Sequence, residues 1–320
     1  KFFDVVTYTG DGTSTRTISH NLDANIGSVF IKGTNETEGW IVAHRSTSAG
    51  NKVLQLNTTG AEVTANHTFI SGSTLTVGTA GNPSYSSNDS GITYVAYLFA
   101  HNNNDGDFGE TGDQDIIKCG SFTNDGGNAQ YKEVGFEPQW ILMKQATAAS
   151  NWYIVDNMRG FPALGSGSVV LEPNTSDAEA GFSILHTDAN GFYFDTFGTA
   201  GATWIYIAIR RGPMKTPTSG TEVFAIDTAN ATNPDYVSNF VTDMAIENDT
   251  DGFNHSINSR LTQGKYLRTN TSDSEFTDAN QAAYDFMNGF GQNFGSNDST
   301  RLSYMFRRAP GYFDVVAYTG

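Results

Sequence analysis

Five carboxylates crowd one stretch of this 320-residue chain: Asp105, Asp107, Glu110, Asp113 and Asp115 fall within eleven residues. Carboxylate oxygen is the hard ligand that Ca2+ takes, which makes Asp105, Asp107, Glu110 and Asp113 the metal candidates. No EF-hand register fits them. With Gly106 at the sixth loop position the first would be His101, and with Gly109 there the fifth would be Phe108. The stretch reads more simply as a solvated, turn-rich linker, with calcium the one ion left open and no other cofactor called for.

The remaining side chains with chemical potential form no known constellation. Six histidines (His20, His44, His67, His101, His186, His255) match no metal pattern such as H-E-x-x-H, and neither a nucleophile elbow nor a phosphate-cradling loop is present. Paired carboxylates for glycoside cleavage occur in any acidic β protein and single out no residue. No catalytic residue is therefore assigned, and a non-enzymatic protein is expected. Arg159 and Arg260 match one another just after the same strand of successive repeats and are expected to brace a carboxylate or loop carbonyls, while Arg210 and Arg211 are candidates for anion contact. Trp40 and Trp152, with Phe253 as their third counterpart, are expected as core anchors rather than sugar platforms. Ten asparagines stand in N-x-[ST] acceptors: Asn35, Asn57, Asn66, Asn88, Asn174, Asn230, Asn248, Asn254, Asn270 and Asn297. In a glycosylating host they would carry glycans; otherwise they are turn residues.

The composition sets outer bounds. Only 16% of residues are charged, against about 25% in ordinary domains, so hydroxyls and amides do the solubilising. The net charge of -16 repels phosphate backbones and anionic lipid, which argues against nucleic acid or a membrane surface as partner. Cys119 is the only cysteine, which excludes an internal disulfide framework and a structural zinc set. The opening Lys1-Phe2-Phe3-Asp4 has neither initiator Met nor signal-peptide order, so a piece of a longer or processed chain is expected.

Internal repetition sets the architecture. Phe3-Asp4-Val5-Val6-Thr7-Tyr8-Thr9-Gly10 returns as Phe313-Asp314-Val315-Val316-Ala317-Tyr318-Thr319-Gly320, and Asn57-Thr58-Thr59 returns at Asn174-Thr175-Ser176 and Asn270-Thr271-Ser272. Ile209-Arg210-Arg211-Gly212-Pro213 likewise matches Phe306-Arg307-Arg308-Ala309-Pro310. Short β-branched or aromatic runs, such as Phe3 to Tyr8, Ser28 to Lys32, Gly39 to His44 and Thr93 to Phe99, are bounded by Gly, Asn, Asp and Ser. The expected fold is all-β, with three tandem antiparallel β-sandwich domains, jelly-roll-like, related by internal repeat. Their bounds are 1–102, 115–213 and 222–310, with linkers at 103–114 and 214–221 and the opening strand of a further repeat, or a donor strand, at 311–320. One short helix is expected from Asp278 to Met287.

Taken in order, the motifs Phe3 to Gly12, Thr17 to Leu22, Gly39 to Arg45, Leu56 to Thr59 and Thr93 to Ala100 resemble a domain of unknown function repeated in tail-fibre and other virion structural proteins of bacteriophages. The second repeat is similar through Gly135 to Trp140, Asn157 to Gly160, Pro173 to Glu179 and Ile205 to Ala208; the third departs from the pattern. The resemblance implies a virion or extracellular structural protein acting as spacer and in host attachment, and supplies no catalytic residues. Two alternatives stand beside it. One is a self-assembling filament joined head to tail, with Phe3, Val5 and Tyr8 of one copy and Phe313, Val315 and Tyr318 of another as the exchanging strands. The other is an adhesin module whose partner is a host-surface glycan.

Overall fold

The computed structural model describes residues 2–48, 51–65, 68–127, 129–159, 168–182, 184–195, 197–212, 215–252, 254–262, 264–277, 284, 286–291 and 300–316. Nine strands come first: β1 Phe3–Thr9, β2 Arg16–Ile18, β3 Ile26–Gly33, β4 Ile41–His44, β5 Lys52–Gln55, β6 Val63–Thr64, β7 Phe69–Ser71, β8 Thr74–Val77 and β9 Thr93–Ala100. They make a six-stranded sheet in the order β1-β9-β3-β4-β5-β6 and a smaller one, β2-β8-β7.

Nine more follow: β10 Ile117–Thr123, β11 Gln130–Glu133, β12 Pro138–Gln145, β13 Trp152–Asp156, β14 Ser168–Val170, β15 Ala180–Phe182, β16 Leu185–Asp188, β17 Gly191–Phe194 and β18 Thr203–Arg210. These give β10-β18-β12-β13, β11-β17-β16 and β14-β15. The last group comprises β19 Phe224–Thr228, β20 Tyr236–Val237, β21 Met244–Asp249, β22 Ser256–Ser259, β23 Lys265–Arg268, β24 Phe276–Thr277, β25 Gly289–Phe290 and β26 Arg301–Phe306, in sheets β19-β26-β21-β22-β23-β24 and β20-β25.

All pairings are antiparallel, and the fold is a β-sandwich-like all-β one. In each main sheet the group's first strand lies beside its last, the last beside the third and the third beside the fourth. The jelly-roll detail does not hold. Strands β3 to β6 are successive neighbours in one sheet, where a jelly roll would alternate them between two. The cause is the short connections between them, since sequential strands joined by short loops pair directly. Of the expected helix, most residues lie outside the described ones, and Tyr284, Phe286 and Met287 are not helical.

Strand β9 explains how the layers form. Its run Thr93-Tyr94-Val95-Ala96-Tyr97-Leu98-Phe99-Ala100 alternates between fully and partly buried residues. Tyr94, Ala96, Leu98 and Ala100 share a core with Ile18 of β2 and with Leu75 and Val77 of β8. Val95, Tyr97 and Phe99 therefore emerge on the opposite face. That face of the sheet is not left to water. The same apolar cluster continues into Ile117, Cys119, Leu142, Trp152, Ile205 and Ile207 of the second group, so the first two groups share a core instead of enclosing one each. The second group's own core, around Phe136, Tyr153, Phe192 and Trp204, lies on the other side of its main sheet.

Gly27 marks the closest approach. It sits at a β-bulge between Ile26 and Ser28, and a Cβ there would run into Cys119 Sγ and the Ala100 carbonyl. Gly27→Val is expected to cost about 1–3 kcal/mol by overpacking. It should also open Cys119, which is 1% exposed, to a thiol reagent. Unfolding midpoint and the rate of thiol labelling, compared with wild type, check both; a variant as stable and as unreactive as the parent would contradict this packing.

Candidate functional site

The register of the three main sheets brings one row of side chains into line in each. In the first, Val5 pairs with Tyr97, Tyr97 with Phe30, Phe30 with Val42 and Val42 with Leu54. In the second, Cys119, Ile207, Leu142, Ile154 and Leu171 follow one another in the same way. In the third, the row is Ile226, Tyr304, Ile246, Ile257 and Leu267. Directly paired residues lie on one face of a sheet, so each row is an apolar stripe across five strands or strand ends.

The first two rows meet. Ser28, Val42 and His44 of the first sheet line one small space with Leu142, Trp152, Ile205 and Ile207 of the second. Hydrogen bonds stitch the contact: Trp152 Nε1 donates to the Gln55 carbonyl at 2.9 Å, Glu62 N to Ala146 O at 2.7 Å and Ser150 N to Thr59 O at 2.9 Å. The third row is only half covered, with Ile226 55% and Leu267 47% exposed.

Buried polar groups adapt to the shared core. His44 contacts the Tyr206 carbonyl through Nε2 at 3.1 Å and accepts from Ser46 N at Nδ1, which fixes a neutral ring with its proton on Nε2. His101 accepts from Cys119 N at Nδ1. Burial pushes both rings down to about 4. Lys144 donates to the Gln145 and Ala148 carbonyls at 2.6 and 3.3 Å, and burial lowers its ammonium to about 8.

A second junction, between the second and third groups, is ionic. Arg211, with its side chain 2% exposed, reaches Glu137 at 2.6 Å and Asp243 at 2.5 Å. Arg308 holds the other Glu137 oxygen at 2.5 Å, and its backbone N–H donates to Asp243 at 2.7 Å. Beside them Arg260 spends Nε and Nη2 on the Thr242 carbonyl at 3.2 and 2.8 Å and Nη1 on the Tyr284 carbonyl. Burial opposes the Arg211 charge, yet Asp243 and Glu137 more than compensate and hold its pKa above the ordinary value. Arg211 is thus neutralised within the fold, contrary to its reading as an anion contact. Arg210 donates to the Asp115 carbonyl at 3.3 Å and lies over Phe136.

The remaining sequence candidates fall as follows. The structure does not gather Asp105, Asp107, Glu110 and Asp113 into one set. Asp105 accepts from Asn103 N, Glu110 from Thr216 Oγ1 and Asp113 from Thr111 Oγ1, and Asp107 sits at a left-handed turn. Asp115 instead accepts from Asn104 N and Gly106 N, closing the loop on itself. Among the described residues no three His, Cys, Asp or Glu side chains are placed to hold a metal ion.

Asn57, Asn174 and Asn270 do one job: each accepts, through Oδ1, the backbone N–H of the residue at the start of the group's fourth strand, Trp40, Trp152 or His255. His255 therefore holds the position assigned to Phe253, which lies outside the described residues. By the same register Arg260 corresponds to Arg45 and Asn157, whose N–H groups make the same return bond, and not to Arg159. Arg159 pairs with Asp156. Trp152 anchors the shared core, while Trp40 is half-buried beside Tyr97.

Among the other sequon residues, Asn88 is a correction. It is 0% exposed and its Nδ2, the atom that a glycan would take, donates to Asp11 and Thr13 inside a loop cluster. Asn230 donates Nδ2 to the Asp235 carbonyl, Asn35 accepts from Thr93 N, Asn248 is half-buried on β21 and Asn254 is exposed. Asn66 and Asn297 lie outside the described residues.

Phe3 and Val5 are exposed on β1 and Tyr8 is buried. Phe313 bridges to Ala309 and its ring stands 5.4 Å from that of Phe306; Val315 is half-buried and Tyr318 lies outside the described residues.

The chain belongs to the family described as a domain of unknown function, DUF7483. The match covers residues 2–213, which takes in both groups that share a core and stops before the third. No curated protein and no solved structure matches the chain.

Two outcomes test these junctions. The folded-state values of His44 and His101 lie below the ordinary 6.5, so the unfolded chain takes up protons first as pH falls. Stability is full above about pH 6.5 and is lost toward pH 4, on the order of 3 kcal/mol for a fully buried ring. His44→Gln should flatten the midpoint-against-pH curve in that window; an unchanged curve counts against a neutral buried His44. At the second junction, Arg211→Met strands two buried carboxylates and is expected to cost about 3–5 kcal/mol. Adding Glu137→Gln and Asp243→Asn should restore much of it in denaturant titrations, and a loss below about 1 kcal/mol for Arg211→Met alone would contradict the network.

Proposed function

We propose that the chain is a non-enzymatic structural protein of an extracellular fibre, a tail-fibre-like segment of a virion that serves as spacer and in host attachment. In this reading it consists of three repeats of one β-sandwich unit. The observation that carries it is the recurring row. A side-chain stripe that each sheet presents on the same face, and that two successive sheets use to bury each other, is what a chain needs to build a stiff object from units too small to be stiff alone. The ionic junction adds orientation, because charge-assisted bonds fix angles as well as distance. The resemblance of the motif order to repeated domains of phage fibres supports the same reading. Immunogold electron microscopy of producing cells and their released particles is expected to label extracellular fibres, and label confined to the cell interior would sink the proposal.

A filament protomer is the second reading, favoured by the third row. Ile226 is 55% exposed where Cys119 stands buried in the second row, and Leu267 is 47% exposed where Leu54 stands buried in the first, although Val5 at the other end of the first row is 45% exposed as well. Two copies would pair these faces as the first two sheets do within one chain. Strand exchange fits less well: β1 is already paired with β9 over its whole length, Phe3 to Thr9, so a strand from 313–318 would have to displace it or add outside it. Sedimentation of the chain should show concentration-dependent association that Ile226→Lys abolishes; a monomer at all concentrations would leave only the spacer.

A further inference from the structure

Between the second and third groups lies a cavity of about 530 Å³, lined by Gln139, Trp140, Asn157, Met158, Arg159 and Arg307 above a floor that includes Arg211, Asp243 and Arg260. That volume suits a small organic ligand. The floor is saturated, since Arg211 and Arg260 are committed to the junction just described. The wall is not. Arg159 Nε and Arg307 Nε are buried donors without a hydrogen-bond partner.

Arg159 still has Asp156 for its other nitrogens. Arg307 has no side-chain hydrogen bond or ion pair among the described residues, and Glu222 acts on it only through space. Its counterpart Arg210, one residue before Arg211 as Arg307 is before Arg308, has both a carbonyl and an aromatic ring to satisfy it. A guanidinium kept partly buried and unpaired in a chain of net charge -16 is a group awaiting an anion.

We infer that this cavity binds a carboxylated sugar residue, with the carboxylate on the Arg307 guanidinium and one face of the ring against Trp140. A guanidinium recognises a carboxylate through paired N–H donors. The half-buried Trp140 and Met158 offer a flat apolar wall for the C–H face of a pyranose, and the Gln139 amide can bond ring hydroxyls. Inorganic phosphate would satisfy the arginine but leave that wall unused, and a neutral sugar would do the reverse. The inference stands apart from the fibre reading, because it concerns binding in solution by the isolated chain.

Ligand-observed NMR and intrinsic tryptophan fluorescence, with D-glucuronic acid, D-glucose and inorganic phosphate as separate probes, test it. Saturable binding of glucuronate is expected, at least tenfold tighter than glucose or phosphate. Arg307→Gln should lose at least tenfold in glucuronate affinity without lowering the unfolding midpoint, since that side chain has no partner to lose, and Arg307→Lys should keep part of the affinity. Equal binding of phosphate and glucuronate would reduce the site to a simple anion contact and overturn the sugar assignment. No binding of any probe, or full affinity in a folded Arg307→Gln, would overturn the site itself.

Discussion

A β-sheet has two faces, and in this chain each main sheet has only one or two small companion sheets beside it. The burial of the second face is the constraint on which the rest depends. Removing an aliphatic side chain from water is worth about 1.5–3 kcal/mol, so a row of five half-covered apolar residues is a standing incentive to pair. Within the first two groups that incentive is met internally. The consequences are visible residue by residue: Gly27 has no room for a Cβ, Cys119 is sealed, His44 and His101 are kept neutral, and Lys144 turns its ammonium back onto the Gln145 and Ala148 carbonyls. A family match that ends at residue 213 encloses this shared core as one object.

The second junction rests on different physics. Arg211, Arg308, Glu137 and Asp243 gain little net energy from being buried together, because each gives up its hydration to enter. What they supply is geometry: Arg211 and Arg308 take one oxygen each of Glu137, and Asp243 takes a side chain on one oxygen and a backbone amide on the other. Apolar faces slide at small cost, whereas such a network fits in one register. The chain thus joins its first pair of sheets by area and its next by direction, and the cavity with the unpaired Arg307 opens where the directional joint leaves the sheets apart.

Much of this was legible in the residues and some was hidden by their resemblance to one another. The strands around Phe3, Ser28, Gly39 and Thr93 stood out through β-branched and aromatic runs between turn residues, and the N-T-[TS] turns marked a real correspondence because the asparagine has one hydrogen-bonding task. The aligned Trp and Arg positions went astray where type outweighed register: His255, not Phe253, is held by Asn270, and Arg260 falls opposite Asn157 rather than Arg159. The shared core had a signal too. Neither Thr93–Ala100 nor Thr203–Ile209 alternates with polar residues, as a strand with one wet face would. Asn88 shows the converse, a sequon whose amide is consumed by the fold.

Strand exchange and face pairing make rival use of the same terminal likeness. Exchange needs an empty slot beside the last strand of a sheet, and β9 and β26 already have β1 and β19 there. Face pairing needs no slot. It asks only that the residues from Phe313 onward should stand to the third group as β10 stands to the first. The local geometry agrees to that extent: Ala309 bridges to Phe313 where Asn102 N bonds Ile117 O. In the earlier case the next such residue on that face, Cys119, lies against Gly27 and begins the buried row. By the same count Val315, half-buried and two residues beyond that bridge, holds the place that Cys119 holds beyond Ile117.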